Sequence, residues 1–220
     1  MTPEKWDVYL SICRKVETDG VGDDVSRDPR DLAMQREFID TFAAFLPSGR
    51  VLAPGAITEA VMLAERGYDV HALVLGADNV RWLEEHKPAN SRLTARERDA
   101  HDLDYPPDYF DGYFTIQTHE HWISPYVHIG EVRYCMRDGG IVFVDAAGTI
   151  NPAMRQIWHT SLMPARELAF SWAYWGYKER WRGPYGDERP QFIFEKLPAG
   201  HPEFTNSGYI DHVMAARSRL

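Results

Sequence analysis

Between residues 50 and 146, short apolar runs alternate with helical stretches. "VLA" within a short strand at 50–53, "YDVHALVL" (68–75), "FDGYFTIQ" (110–117) and "GIVFVDA" (140–146) are apolar on both faces. Strands of that kind need cover on both sides, which helices at 58–66, 78–87 and 125–136 can supply. "LTARERDA" (93–100) reads as one more strand, ending at Asp99. Gly67 reads as a helix stop, Asp78 as a helix N-cap and "RDGG" (137–140) as a turn. The pattern predicts a parallel α/β sheet with right-handed crossovers.

The flanks differ. Trp6, Tyr9, Leu10, Cys13 and Val16 recur at helical spacing, as do Leu32, Phe38, Ile39, Phe42 and Phe45. Residues 1–48 are therefore expected to form an N-terminal helical cap. Residues 151–190 read as an aromatic-rich insertion or lid, with Trp158, Phe170, Trp172, Tyr174, Trp175, Tyr177 and Trp181. "QFIFEKL" (191–197) and "YIDHVMAAR" (209–217) read as two further strands, so 191–220 would complete the sheet. At 220 residues and 44% hydrophobic, the chain suits one decorated domain with a sizeable core. A formal charge of −9 disfavours generic nucleic-acid binding. Cys13 and Cys135 make neither a zinc knuckle nor a disulfide scaffold. No run approaches the ~18–20 apolar residues of a membrane span. The opening segment is amphipathic and lacks the apolar run of a signal peptide. The expectation is a cytoplasmic protein without a membrane partner.

"VLAPGAITEAV" (51–61) runs from strand through a glycine turn into a helix. With "RERDAHDLDYPPDYFDGYFTIQTHEHW" and "HIGEVRYCMRDGGIVFVD", it resembles the class I S-adenosylmethionine-dependent methyltransferases, especially the small-molecule, type 11-like enzymes. The resemblance spans 49–150 as a methyltransferase core. It implies a Rossmann-like seven-stranded, mostly parallel sheet with helices on both faces and the last strand antiparallel. It also implies S-adenosylmethionine as cofactor, held by Gly55, Ala56, Asp99, Ala100, Gln117 and Thr118, with Asp99–Ala100 at the adenine. On the same pattern the loop is degenerate. Ala53 and Val74 stand where the family has acids, and Ile57 and Glu59 where it has glycines. A carboxylate accepts two hydrogen bonds from a ribose diol, whereas valine accepts none. Each lost charged hydrogen bond costs roughly 1.5–3 kcal/mol.

The segment after the fourth strand, "TIQTHEHWISPYVH" (115–128), should lie at the carboxyl edge of the sheet, where open α/β folds bind ligands. Strand geometry would send His119 and His121 to one side and Glu120 to the other. His119, Glu120 and His121 are the candidate catalytic residues, because methyl transfer needs positioning and, for some acceptors, a base. For any one histidine, packing or helix capping competes with this role. A metal reading with His119, His121 and His128 plus Glu120 or Asp145 matches no standard zinc spacing, so no metal ligands are assigned. Arg166, Arg180, Arg182 and Arg189 would either hold an acidic acceptor or form a solvated face.

A DNA amino-methyltransferase motif, a nucleophilic cysteine after the fourth strand, a Walker loop and a Gly-x-Ser-x-Gly elbow are all absent from the sequence. Two functions follow. One is an S-adenosylmethionine-dependent methyltransferase acting on a small-molecule acceptor. The other is a methyltransferase-fold protein that no longer binds that cofactor, serving as a non-catalytic partner or using other donor or metal chemistry. The aromatic segment would serve as a substrate pocket, an extra core layer, or a contact to a homodimer or paralogue partner.

Overall fold

A computed structural model describes residues 7–8, 11, 29–149, 159, 161–208 and 210. The chain divides into two compact units, Met1–Ala100 and His101–Leu220.

In the first unit, helix α1 (Pro29–Phe45) buries Phe38, Ile39 and Phe42. Strand β1 (Arg50–Pro54) leads to α2 (Thr58–Glu65), β2 (Asp69–Val74), α3 (Ala77–His86) and β3 (Arg92–Glu97). β2 lies between β1 and β3 and pairs parallel with both. Its register sets Ala53 opposite Ala72, and Val74 opposite Glu97. β1 is buried from Val51 onwards, as its unbroken apolar run requires, whereas β3 is largely exposed. Gly67 ends α2 at φ +90°, as expected of a C-terminal glycine. The cap of α3 is Gly76; Asp78 lies inside the first turn and pairs with Arg81.

In the second unit, β4 (Phe110–Ile116), α4 (Pro125–Cys135), β5 (Met136–Asp145), α5 (Ala165–Tyr174), β6 (Tyr177–Arg182) and β7 (Gln191–Lys196) follow. β4 and β5 are parallel, while β7 runs antiparallel to both β5 and β6. Over all seven strands the order is β3-β2-β1-β4-β5-β7-β6. This is the expected Rossmann-like fold, mostly parallel with an antiparallel final strand.

Two sequence expectations are corrected. "RDGG" lies within β5, its extra length taken up by a register shift opposite Phe110 and Gly112. The segment at 191–197 is the seventh strand. The sixth is Tyr177–Arg182, inside the expected insertion. Its charged, half-exposed side chains hid it from an apolar-run criterion. Most of 209–217 and most of the cap helix at 3–17 lie outside the described residues; Asp7, Val8, Ser11 and Ile210 are helical.

Trp172, Trp175 and Tyr177 of the aromatic segment belong to the core, while Tyr174 and Trp181 are half-buried. Trp172 is fully buried; its ring stacks on Phe194 at 5.7 Å and meets Tyr177 edge-on at 5.0 Å. Trp175 packs on Gly130 so closely that a β-carbon there would lie 2.8 Å from its ring. Phe170 stays exposed, and Trp158 lies outside the described residues.

Just past β5, a β-carbon on Gly148 would sit 1.9 Å from the Glu188 carbonyl oxygen. Backbone cannot yield as a flexible side chain can, so Gly148→Ala is expected to cost about 1–3 kcal/mol or more in urea denaturation. Gly208→Ala, with nothing within 4 Å of the added carbon, is expected to stay within about 0.5 kcal/mol of wild type.

Candidate functional site

In the first unit, Gly55 turns the chain out of β1 at φ +69°, a conformation glycine adopts without steric cost. Its N–H donates to the Leu73 carbonyl at 2.8 Å, tying the turn to β2. Ala56 is buried. Ile57 occupies the N-cap position of α2 and provides no side-chain cap. Glu59 is buried in the first helical turn, where the helix dipole favours a carboxylate. Ala53 and Val74 are both shut into the core. Beyond β3, the Arg98 N–H donates to the Val74 carbonyl at 2.9 Å, and half-buried Asp99 and Ala100 follow.

In the second unit, the strand does not continue through "QTHEH". Gln117 takes φ +50° and breaks it, and His119–His121 form a single 3₁₀ turn. The alternation expected for the two histidines is therefore overturned. His119 and Glu120 both turn inward and are 1% exposed, while His121 is half-buried. The left-handed Gln117 is held by Asp145: its N–H donates to the Asp145 carbonyl at 2.8 Å, and its side-chain amide to Oδ2 at 3.4 Å. Thr118 spends its hydroxyl on the Ile116 carbonyl at 2.9 Å.

Asp145, fully buried at the end of β5, collects the neighbouring donors. Arg189 grips it through Nε at 2.7 Å and Nη2 at 2.8 Å, and Gln191 adds Nε2 at 2.7 Å. A bidentate guanidinium is the partner such a buried carboxylate requires. Composition alone did not single out this Arg189–Asp145 pair. Arg180 and Arg182 instead pair with Glu195 and Glu179 on the surface, the bland reading of that basic run.

Burial dominates the electrostatics of the turn. Desolvation lowers the His119 pKa to about 3, so the ring is neutral at physiological pH. It packs against Trp122 with centroids 4.7 Å apart. Desolvation raises the Glu120 pKa to about 7; its own backbone amide and that of Ala147 pull it down, Asp145 pushes it up and Arg189 pulls it down. Among the described residues, Glu120 Oε2 and His119 Nε2 are buried without a hydrogen-bond partner.

The histidine grouping differs from the one weighed on spacing. His128 is buried, bonded through Nε2 to the Tyr113 hydroxyl at 2.8 Å, and packed on Trp122 at 3.7 Å. The structure gathers Glu120, His121 and His159, whose ligand atoms all lie within 4.8 Å of one another. His159 is 38 positions from His121 in the chain, too far for any local spacing to signal.

A topology with β7 inserted antiparallel between β5 and β6 defines the class I methyltransferase fold. Residues 51–144 match a family described as "Methyltransferase domain", and that stretch of the chain is a methyltransferase domain. No curated protein matches in sequence. Among solved structures, the chain is similar to Burkholderia thailandensis 1,6-didemethyltoxoflavin-N1-methyltransferase, determined with 1,6-didemethyltoxoflavin and S-adenosylhomocysteine bound. Identity is 16%, coverage 90% of this chain and 92% of that one, and the TM-score 0.64. It is also similar to N-methyltransferase NodS from Bradyrhizobium japonicum WM9, at 12% identity, 79% and 100% coverage and TM-score 0.65. A third similarity is to a complex from Haloferax volcanii of the Trm112 methyltransferase activator with a methyltransferase, at 13% identity, 78% and 95% coverage and TM-score 0.64. Among the described residues, no helix is long and apolar enough to cross a membrane.

Glu120 makes stability depend on pH. Its folded pKa is raised from 4.5 to about 7. The stability it contributes is therefore complete below pH 4.5 and lost as pH rises through 7. Glu120→Gln removes that loss. In urea denaturation with EDTA present, the variant is expected to gain about 1–3 kcal/mol over wild type at pH 8 relative to its difference at pH 4.5.

Proposed function

We propose that this chain is an S-adenosylmethionine-dependent methyltransferase acting on a small molecule, with a cofactor site of altered chemistry. The observation that carries the reading is the methyltransferase-domain match over 51–144, laid on a sheet whose final strand is antiparallel. The bound S-adenosylhomocysteine and small acceptor of the Burkholderia enzyme support the choice of cofactor and acceptor class.

The residues fit the cofactor in part. The Gly55 turn keeps its left-handed backbone and presents no β-carbon, and Asp99 follows β3 where a carboxylate would accept from the adenine amino group. In this reading Gly55, Ala56, Asp99 and Ala100, all of the first unit, hold the cofactor. Ala53 and Val74 are buried and apolar, so they offer the ribose and the methionine end no hydrogen bond.

The cofactor, when bound, supplies a methyl group on a sulfonium for in-line transfer. The chain's task is to orient an acceptor and let its proton leave. Of the three candidates, His119 is buried and its basicity is suppressed, which suits positioning more than proton exchange. His121 is half-buried and, with Glu120, is assigned here to the acceptor. A small molecule is the natural acceptor, and the two separated cysteines suit a reducing, cytoplasmic setting. The exposed Phe170, Tyr126 and Val127 are where a homodimer or paralogue contact would form.

Calorimetric titration with S-adenosylhomocysteine tests this. Wild type is expected to bind measurably at millimolar ligand, and Val74→Asp to bind about 10-fold or more tightly through restored charged hydrogen bonds to the ribose. Binding by the variant alone would mark a methyltransferase fold that has lost its cofactor. Silence from both proteins would sink the reading.

A further inference from the structure

The turn after β4 holds more chemistry than methyl transfer requires. We propose that Glu120, His121 and His159 form a divalent transition-metal site, with coordination positions left for a chelating acceptor or water.

Three observations bear on this. First, the ligand atoms of the three residues converge within 4.8 Å. Donors around a shared ion at roughly 2.0–2.2 Å stand about 3–4 Å apart, so closing onto one takes a movement of about an ångström. Rotation of the half-buried His121 and His159 side chains can supply it. Their rings already meet edge-on, with centroids 4.8 Å apart.

Second, His159 is carried by a segment pinned to the turn. The Ser161 N–H donates to the Glu120 carbonyl at 2.9 Å, and the Ser161 hydroxyl to the Trp122 carbonyl at 2.6 Å. These bonds bracket His121 and hold the distant part of the chain beside it.

Third, Glu120 Oε2 is buried and has no hydrogen-bond partner among the described residues. A buried carboxylate oxygen left so is costly, and a cation is the group that satisfies it most strongly. Arg189 lies nearby, but its charge is balanced by the bidentate bond to Asp145.

Two imidazoles and one carboxylate select borderline cations such as Zn²⁺, Co²⁺ or Fe²⁺ over Mg²⁺ or Ca²⁺, which prefer all-oxygen shells. Three protein ligands leave positions open, as in catalytic sites. A hydroxyl or carboxylate of the acceptor placed there would be oriented, and a hydroxyl would release its proton to solvent more readily. That use rests on the methyltransferase reading; the metal binding does not.

The test is titration of the EDTA-stripped full chain with Co²⁺, followed by its visible d–d bands, and with Zn²⁺ by calorimetry. Wild type is expected to take up one equivalent. His159→Ala and Glu120→Gln should each weaken binding by about 100-fold or more, since even indirect partners of a metal contribute 10–100-fold. His86→Ala, at a surface histidine, should leave it unchanged. Circular dichroism and His159→Gln guard against a misfolded variant. Titration of His159→Ala with S-adenosylhomocysteine reads the cofactor site separately. Stoichiometric metal without cofactor binding supports the metal site while the methyltransferase reading fails. Absence of a saturable cobalt spectrum in wild type, or binding that neither ligand substitution changes, overturns the proposal.

Discussion

A carboxylate with no exposure at the end of a central strand must be paired or neutralised, and Asp145 is paired three ways. Arg189 grips both its oxygens, Gln191 shares one and Gln117 reaches the other. Removing any buried partner would strand a charge in a medium that solvates it poorly. These bonds join the end of β5, the start of β7 and the turn after β4. The left-handed Gln117 is tolerated because Asp145 holds both its backbone and its side chain. The 3₁₀ turn that follows inherits its direction from this anchor.

That direction places two adjacent titratable side chains inside the protein. Burial favours the neutral form of both His119 and Glu120, for the same reason and with opposite consequences for pH. A buried histidine with lowered pKa loses stability as pH falls below 6.5, and a buried acid with raised pKa loses it as pH rises towards 7. Such pairs of displaced groups cluster at functional sites, because a fold optimised for stability alone would not keep them. The third side chain of the turn, His121, reaches partway to solvent beside His159. One short turn thus carries a neutral imidazole, an acid with an unsatisfied oxygen, and an imidazole facing a distant partner.

Much of the architecture was legible in the chain. Continuous apolar runs such as "VLA" (51–53) and "GIVFVDA" cannot be half-solvated, so they had to be central strands. Gly55 and Gly67 took the positive φ expected at a strand-to-helix turn and a helix end. The misreadings share a cause. β6 is polar and pairs with β7 alone, and "RDGG" is a strand segment whose regularity comes from its neighbour rather than its composition. In the site, Asp145, Glu120 and His121 lay in segments that drew notice. Arg189 was noticed only as one of a basic run, and its clamp on Asp145 was not foreseen; His159 drew no notice, since nothing near it in the chain marks it.

Local polarity and turn chemistry were sufficient to determine a layered α/β core and its order of strands and helices from β1 to β5. These depend on neighbours within a few residues, and the chain carries that information directly. The grouping of Glu120 with His121 and His159, the inward turn of His119 and the threefold pairing of Asp145 were decided by tertiary structure. Each depends on backbone bonds between segments tens of residues apart, and on how deeply burial removes water from a charge.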